Sequence, residues 1–142
     1  MPSETLLTRA TSTRPPLTAR FSCLWSDGGA GAAWVKPVGE IDIHTAPRVD
    51  EALRAAQAAA PRVVLDLRGV SFLDSAAFHV IVEADIRARE LAGRLVLVRA
   101  PVHVQRTLSL IGIPESVEMV DLDPMHPPVQ ALLHLARTET AA

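Results

Sequence analysis

The chain has 142 residues, of which 49% are hydrophobic and 21% are charged, and its formal net charge is -2. This length suits one domain with a single core. The composition excludes the intrinsically disordered class and the strongly basic class of nucleic-acid-binding proteins. Cys23 is the only cysteine, so no intramolecular disulfide can form and no cysteine cluster exists to hold zinc.

The N-terminal segment differs in composition from the rest of the chain. Residues 1–18 are rich in Ser, Thr and Pro and have no apolar period, so we expect a disordered or loosely docked tail followed by one domain at residues 19–142. This segment has an early acidic residue and no continuous apolar run, and no apolar stretch elsewhere approaches the length of a bilayer span. We therefore expect a cytoplasmic protein that is neither exported nor membrane-spanning.

The folded part should begin with a β-hairpin. Apolar residues alternate through residues 21–25 and predict a first strand, and the turn-forming residues 26–29 should connect it to a second strand at residues 32–41. Pro37 has no backbone N–H, which predicts a bulge or an open side in the second strand. We therefore expect the hairpin to lie toward a sheet edge.

Helices and strands alternate along the rest of the chain. Thr45 is placed to cap a helix in which Pro47 is tolerated in the first turn, and Gly93 and Gly112 are placed to end the next two helices. The predicted elements are a helix from Thr45 to near Pro61, a strand at 63–67, a helix from near Ser75 to Gly93, a strand at 95–98, a helix from Pro101 to Gly112, a strand at 117–120 and a helix at 128–137.

This order predicts the fold class. Strands that alternate with single helices imply parallel pairing through right-handed crossovers. We therefore expect an α/β fold: a single-domain mixed β-sheet with an N-terminal antiparallel hairpin, parallel core strands and crossover helices. The apolar strand at residues 63–67 should be central. In the helix from Ser75, the expected apolar face is Ala77, Ile81, Ala84, Ala88 and Leu91, and the expected water-facing residues are Glu83, Asp85, Arg87 and Glu90.

Two loops should meet at the carboxyl ends of the parallel strands, where open α/β sheets place their functional crevice: residues 39–45 and 68–75. Ser75 lies in the first turn of a helix, where unpaired N–H groups and the helix dipole stabilise negative charge. A phosphate on Ser75 would add about -1.5 to -2 charges beside Asp74 and near Asp42, and repulsion and desolvation would expel a docked partner. Position alone favours a simpler role, in which Ser75 or Asp74 caps the helix.

Three segments, in this order, carry a family resemblance. They are Gly-Glu-Ile-Asp at 39–42 with His-Thr-Ala-Pro at 44–47, the run Val-Leu-Asp-Leu-Arg-Gly-Val-Ser-Phe-Leu-Asp-Ser at 64–75, and Gly-Arg-Leu-Val-Leu-Val at 93–98. Together with a helix ending at 110–113 and a last strand, they resemble the bacterial anti-sigma-factor antagonists of the STAS family over residues 32–136. In that family a serine directly follows an aspartate in the phosphorylation loop, and Ser75 occupies the corresponding position.

The resemblance implies a regulatory, non-enzymatic binding module. In such proteins the unphosphorylated antagonist captures an anti-sigma serine kinase and a sigma factor is freed; the kinase phosphorylates the loop serine, and a serine phosphatase reverses this. For this chain it implies phosphorylation of Ser75 and a monomer or weak homodimer. We expect no cofactor, no metal, and neither nucleic acid nor a membrane as a direct partner. The implied partner-binding residues are Asp42, His44, Thr45, Asp74, Ser75, Ala76, Ala77, Phe78 and His79.

The chain departs from the family at two positions. The family usually has glycine two residues after the serine and often another small residue two further on, whereas Ala77 and His79 stand here. A methyl group and an imidazole at these positions could block a standard kinase or select an unusual one.

Simpler roles stay open for several of these residues. Asp42 and Asp74 are equally consistent with solvated loop carboxylates, with partner contacts, or with a catalytic acid pair. Apolar bulk at Phe72, Leu73 and Phe78 could form a docking surface, although core packing is the favoured interpretation. The histidines show no paired ligand spacing and are interpreted as surface or cap-adjacent residues; they are His44, His79, His103, His126 and His134.

Other function classes find less support. The nearest rival within the fold is a STAS adaptor or stress-sensing scaffold subunit that uses the same surface without a phosphorylation cycle. An enzyme is disfavoured because the chain has no Walker-type glycine loop, no Gly-x-Ser-x-Gly elbow and no His-Glu-x-x-His helix. A two-component receiver would need a lysine near a strand end, and the sole lysine, Lys36, lies in the wrong strand. No phosphate-cradling glycine motif supports nucleotide binding.

Overall fold

The structure is a computed structural model that describes residues 21–113, 117–123 and 125–127. The predicted tail at residues 1–18 and the predicted last helix at 128–137 lie outside the described residues. The described elements are β1 (Ser22–Gly29), β2 (Ala32–Ile41), α1 (Ala46–Ala59), β3 (Arg62–Asp66), β4 (Val70–Leu73), α2 (Ser75–Glu90), β5 (Arg94–Val98), α3 (Val102–Ile111) and β6 (Glu118–Val120).

The described strands form one mixed sheet. Its order is β1-β2-β3-β5-β6, and β4 pairs with β2 beside this path. β1 and β2 are antiparallel, whereas β2–β3, β3–β5 and β5–β6 are parallel. The predicted fold class, with its antiparallel hairpin at one edge and a central third strand, is therefore confirmed. The short strand β4 was not predicted; residues 68–75 were expected to form a loop.

β2 changes its partner halfway along its length. Residues 32–35 pair with β3, and residues 39–41 pair with β4. Pro37 stands between these two ladders and has only β1 as a paired neighbour. The open side that was predicted from the missing N–H of Pro37 is therefore confirmed.

The hairpin turn lies later than predicted. β1 continues through residues 26–29 with a bulge between Asp27 and Gly29, where the Gly29 N–H donates to Asp27 Oδ1 at 2.8 Å. The chain reverses at Ala30 and Gly31, whose φ angles are +54° and +77°. Gly29, just before them, also has a positive φ angle, of +80°. Positive φ at both turn residues is what a type I′ hairpin turn requires. The Ser-Asp-Gly-Gly sequence therefore forms the bulge, and the prediction that it forms the turn was wrong.

The described helices pack on one face of the sheet. Alternate residues of β3, Val63 and Leu65, join the helices in the main core, while Val64 belongs to a smaller cluster on the opposite face. This is the two-sided burial expected of a central parallel strand. No described helix is both long enough and apolar enough to cross a bilayer.

The apolar face of α2 is mostly as predicted, with two corrections. Ala77, Ile81, Ala84 and Ala88 are buried. Leu91 is 60% exposed because it lies at the C-cap, where the chain leaves the core. Asp85 was expected to face water but is only 8% exposed. It lies one turn after Ile81, at the border of the apolar face, and its carboxylate accepts a hydrogen bond from Arg89 Nε at 3.0 Å.

The chain leaves α2 through a close backbone contact. Ala92, and not Gly93, has the left-handed conformation, with φ +57°. A Cβ on Gly93 would stand 2.2 Å from the carbonyl oxygen of Pro61, and the Arg94 N–H donates to that same oxygen at 2.8 Å. Gly93 therefore follows the helix as predicted, but what requires glycine is the tight approach of β5 to the start of β3.

Candidate functional site

The carboxyl ends of β2 and β4 lie side by side. Ile41 pairs with Leu73 at the ends of these parallel strands, and the Asp74 N–H donates to the Ile41 carbonyl oxygen at 3.3 Å. The loop before α1 and the start of α2 therefore share one edge of the sheet. We call this surface the loop edge and define it as residues 42–45 and 72–79.

A glycine at the base of the loop edge allows β4 to dock on β2. Gly39 has φ +106°, a conformation that side chains rarely adopt, and its N–H donates to the Gly69 carbonyl oxygen at 3.0 Å. The pairing of β2 with β4 shifts register between Gly39 and Glu40. This irregularity shifts the Gly-Glu-Ile-Asp segment relative to β4 and so determines where the two loops leave the sheet.

The loop before α1 is fixed by hydrogen bonds between Asp42 and Thr45. Asp42 Oδ1 accepts from the His44 N–H at 2.8 Å and the Thr45 N–H at 3.0 Å. Thr45 Oγ1 accepts from the Asp42 N–H at 2.9 Å and donates to the Glu40 carbonyl oxygen at 2.7 Å. The Thr45 N–H, followed by weaker contributions from His44 and the Thr45 hydroxyl, holds the pKa of Asp42 below its usual value. Thr45 is the N-cap of α1, but its side chain makes no capping bond to the helix.

Asp74 is the N-cap of α2. Its backbone is extended, and its Oδ1 accepts a hydrogen bond from the Ala76 N–H at 2.8 Å. Its carbonyl oxygen accepts from the Phe78 N–H at 3.2 Å. The capping role that position alone favoured for Ser75 or Asp74 therefore belongs to Asp74.

Ser75 is the first residue of α2 and is exposed. Its hydroxyl makes no hydrogen bond to any other residue in the described part of the chain. One turn later, His79 Nδ1 lies 2.8 Å from the Ser75 carbonyl oxygen. The Ser75 hydroxyl is therefore accessible to an enzyme and is not needed to cap the helix.

The loop edge is poor in fixed positive charge. It holds the carboxylates of Asp42 and Asp74, but residues 37–47 and 69–86 contain neither lysine nor arginine. His44 and His79 are the residues in these two segments that can carry a positive charge at ordinary pH. A new negative charge at Ser75 would therefore lie between two segments whose ionisable side chains are carboxylates and histidines.

The predicted partner-binding residues reach this edge with one exception. His44, Ser75 and His79 are exposed, and the partly buried members are Asp42, Thr45, Asp74, Ala76 and Phe78. Ala77 is only 1% exposed and packs in the main core. Its assignment to the partner surface was wrong, because the third residue of α2 points toward the sheet. The Ala77 methyl group is therefore not accessible to a protein that docks on this surface.

Two exposed apolar residues join the loop edge. Ile43 is 70% exposed between Asp42 and His44, and sequence reasoning missed it, although its place in a polar loop was a signal. Phe72 is 49% exposed, so core packing was the wrong interpretation for it. Core packing holds for Leu73, at 2%, while Phe78 is half-buried. Ile43 and Phe72 therefore add exposed apolar area to the loop edge.

A second concave region lies at the ends of β5 and β6. It is a groove of about 620 Å³. At one side the guanidinium of Arg68 makes a two-pronged ion pair with the buried carboxylate of Asp66, with Nε–Oδ1 2.9 Å and Nη2–Oδ2 2.7 Å. That bond raises the pKa of Arg68. Arg99 likewise pairs with Asp121 at 2.9 Å, so much of the positive charge along this groove is already neutralised.

The described residues bring together no group of three His, Cys, Asp or Glu side chains that could hold a metal ion. Burial raises the pKa of Cys23 to about 11, with nearby Arg48 opposing the shift. At neutral pH this thiol is therefore protonated and a poor nucleophile.

Comparison with known proteins gives concordant results. The family model described as the STAS domain matches residues 28–131. An anti-sigma-B factor antagonist of Listeria monocytogenes is 34% identical over 86 residues, which make up 60% of this chain and 75% of the relative.

Solved structures show the same fold. An anti-sigma factor antagonist from Mycobacterium paratuberculosis has a TM-score of 0.65 at 24% identity, covering 82% of this chain and 94% of that chain. The Bacillus cell fate determinant SpoIIAA in its phosphorylated form has a TM-score of 0.62 at 16% identity, covering 80% of this chain and 99% of that chain. Because both identities are below 25%, these two structures support the fold assignment and nothing further.

Proposed function

The chain belongs to the STAS domain family, and on that premise we propose that it is an anti-sigma-factor antagonist that is inactivated by phosphorylation of Ser75. In this proposal the unphosphorylated protein binds an anti-sigma serine kinase through the loop edge, and the sigma factor held by that kinase is released. The kinase phosphorylates Ser75 and a serine phosphatase restores the active form. The chain acts by binding and not by catalysis, in the cytoplasm.

One observation carries the proposal. The Ser75 hydroxyl is exposed at the first position of α2, without a hydrogen bond in the described part of the chain, on the same edge as the Asp42 loop. The adjacent residue Asp74 supplies the helix cap. A kinase can therefore modify Ser75 without removing an interaction that the fold needs.

The docking surface we propose combines polar and apolar groups. Asp42, His44, Asp74 and Ser75 provide hydrogen-bonding groups, and Ile43 and Phe72 provide apolar area that is exposed at 70% and 49%. A core of apolar contact surrounded by polar groups is the usual anatomy of a protein interface. Binding would cover the Ser75 hydroxyl, so that a charge on it acts at the centre of the contact.

Electrostatics explains how phosphate would switch this surface. A phosphate brings about -1.5 to -2 charges to an edge that already carries the carboxylates of Asp42 and Asp74 and no arginine or lysine in the two flanking segments. Burying that charge against a partner requires desolvation and adds like-charge repulsion. The phosphorylated form is therefore expected to release the kinase.

The phosphorylation site is tested by incubating the full chain with ATP and each candidate anti-sigma serine kinase of the same genome, and locating phosphate by mass spectrometry. We expect one phosphate on Ser75, and none in Ser75→Ala. Ser71→Ala is the matched control, because Ser71 is an exposed serine of β4 beside the same edge, and it should be phosphorylated normally. Phosphate on Ser71 or on no residue would contradict the assignment.

The switch is tested by kinase affinity. Ser75→Glu should weaken binding by about 1 to 3 kcal/mol, because it puts negative charge into the contact. Ser109→Glu, which adds the same charge to an exposed position of α3, should leave affinity unchanged. If Ser75→Glu binds as tightly as the unmodified chain, the alternative gains support: a STAS adaptor or scaffold subunit that uses the exposed apolar residues of the loop edge without a phosphorylation cycle.

Two further parts of the proposal concern regions around this site. We propose that residues 19–142 form one STAS domain and that residues 1–18 form a tail outside it. The protein is proposed to be a monomer or weak homodimer. Removing residues 1–18 should leave kinase affinity unchanged, and a measured loss of affinity would assign the segment a role in recognition.

A further inference from the structure

His79 is held beside the residue that the proposed kinase modifies. Its Nδ1 lies 2.8 Å from the Ser75 carbonyl oxygen. Because a carbonyl oxygen only accepts, Nδ1 must carry a proton and donate. The ring also meets Phe78 edge to face, with centroids 5.6 Å apart. The imidazole is therefore fixed over the first turn of α2.

A phosphate on Ser75 would have few other groups to neutralise it. The Ala76 N–H at the start of α2 is already bonded to Asp74 Oδ1 at 2.8 Å, and the Phe78 N–H to the Asp74 carbonyl oxygen at 3.2 Å. No lysine or arginine occurs in residues 37–47 or 69–86. The Asp74 side chain therefore occupies one N–H at the helix start, and neither of these two segments supplies a lysine or arginine to neutralise an anion there.

We propose that His79 is the counterion of the phosphate on Ser75. Residues four apart on a helix are neighbours, with Cβ atoms about 5 to 6 Å apart, so the phosphate oxygens come within reach of the imidazole. The ring N–H would exchange a neutral carbonyl acceptor for a dianion, and hydrogen bonds between charged groups are roughly twice as strong as neutral ones. This inference rests on the proposed function, because it concerns the phosphorylated state of the same site.

Several other ionisable groups lie around this pair and act on it. Asp42 and His44 lie in the loop before α1 at the same sheet edge, and Asp74 is the N-cap of α2. Glu83 follows His79 by one turn on α2. From α3, His103 Nε2 contacts the Ser71 carbonyl oxygen at 3.1 Å. The carboxylates of Asp42, Asp74 and Glu83 favour the protonated phosphate, which has one negative charge. An imidazolium at His79 has the opposite effect, because it stabilises the phosphate dianion.

The test needs no kinase. Phosphoserine is introduced at position 75 of the full chain by genetic code expansion, and the second ionisation of the phosphate, normally near pH 6, is followed by phosphorus NMR at low salt. We expect His79→Gln, which keeps a donor to the Ser75 carbonyl but cannot carry charge, to raise the midpoint by about 0.3 pH units. His79→Lys should restore the low midpoint.

The matched control is His44→Gln, because His44 is the other exposed histidine of the loop edge but has no contact with Ser75 like that of His79; its midpoint should rise by less than that of His79→Gln. An unchanged midpoint in His79→Gln, or an equal rise in both glutamine variants, would overturn the inference. Because the phosphate is installed directly, this result is independent of whether any kinase recognises Ser75. A failed kinase assay with a positive titration would count against the proposed function alone.

Discussion

The starts of α1 and α2 look alike in the sequence and differ in the structure. Each helix follows a strand that ends at the same sheet edge, and each start combines an aspartate with a hydroxyl residue: Asp42 with Thr45, and Asp74 with Ser75. At α1 the hydroxyl is bound within the loop, to the Glu40 carbonyl oxygen and the Asp42 N–H. At α2 the aspartate caps the helix and the hydroxyl is exposed.

The comparison distinguishes a hydroxyl that the fold uses, that of Thr45, from one that is accessible to modification, that of Ser75. Thr45 Oγ1 both donates and accepts, so its removal leaves the Asp42 N–H and the Glu40 carbonyl without those partners. Ser75 Oγ can be lost or modified with little consequence for the fold. A modification that acts as a reversible switch requires such a group, because a switch that unfolded its own domain would not be reversible.

The largest stability effect should come from Thr45→Val, which keeps the shape of the side chain and removes its hydroxyl. We expect a loss of about 1 to 2 kcal/mol in the free energy of unfolding, because an N–H and a carbonyl lose their partners. Urea unfolding measures it. Thr107→Val is the control: the Thr107 hydroxyl donates to a carbonyl of its own helix, so its loss should cost much less. Equal losses of unfolding free energy in Thr45→Val and Thr107→Val would show that the Thr45 hydroxyl matters no more to the fold than the Thr107 hydroxyl.

A smaller loss is expected from Asp74→Ala. The variant removes the acceptor of the Ala76 N–H and should lower the free energy of unfolding by about 1 kcal/mol, the usual value of an N-cap. Asp74→Asn retains an acceptor oxygen and should unfold at nearly the same urea concentration as the unmodified chain. If Asn and Ala destabilise equally, Asp74 does not act as a cap.

Ser75→Ala should change stability by less than about 0.5 kcal/mol, as is usual for surface substitutions away from structural hydrogen bonds. The same urea experiment measures it, beside Thr45→Val. A loss comparable with that of Thr45→Val would mean that the two hydroxyls are both structural, and the contrast between the two helix starts would fail.

The smallest effect should appear in acid. The Thr45 N–H lowers the pKa of Asp42 in the folded protein, so the ionised carboxylate stabilises the fold at pH above its unfolded value of about 3.9. That contribution is lost as the pH falls through the lower folded pKa. Urea midpoints between pH 6 and 3 should therefore decrease less steeply in Asp42→Asn than in the unmodified chain. Identical slopes would contradict the assignment.

The broad architecture could be predicted from the sequence because each signal was local. Pro37 indicated the open side of β2, and Gly112, with φ +100°, ends α3 as expected. The buried run of β3 indicated a central strand. These features depend on the preferences of a few adjacent residues, so no knowledge of distant partners was needed.

The features that were missed depend on tertiary contacts. β4 has only four residues, and it forms a strand because the second half of β2 is left free beyond residue 35. The burial of Asp85 follows from how α2 is rotated on the sheet, which its alternating small and polar residues do not fix sharply. Gly93 was interpreted as a helix end, whereas the carbonyl oxygen of Pro61 is what excludes a side chain there.

The candidate site was only partly predictable for the same reason. Ser75 and Asp74 could be located from one helix start, but which of them caps the helix depends on backbone geometry. Ile43 follows the end of β2 and Phe72 lies in β4, which pairs with β2 beside the main path of the sheet. Both are exposed, whereas apolar residues without a visible period are normally assigned to a core.

The change of partner along β2 divides one strand between the centre of the domain and its periphery. A local opening that detaches β4 and the start of α2 would break three residue pairs, at Gly39, Glu40 and Ile41. The four pairs that residues 32–35 make with β3 belong to a separate ladder and would remain. The two halves of β2 are therefore expected to differ in hydrogen exchange, with slower exchange at residues 32–35 in the middle of the sheet.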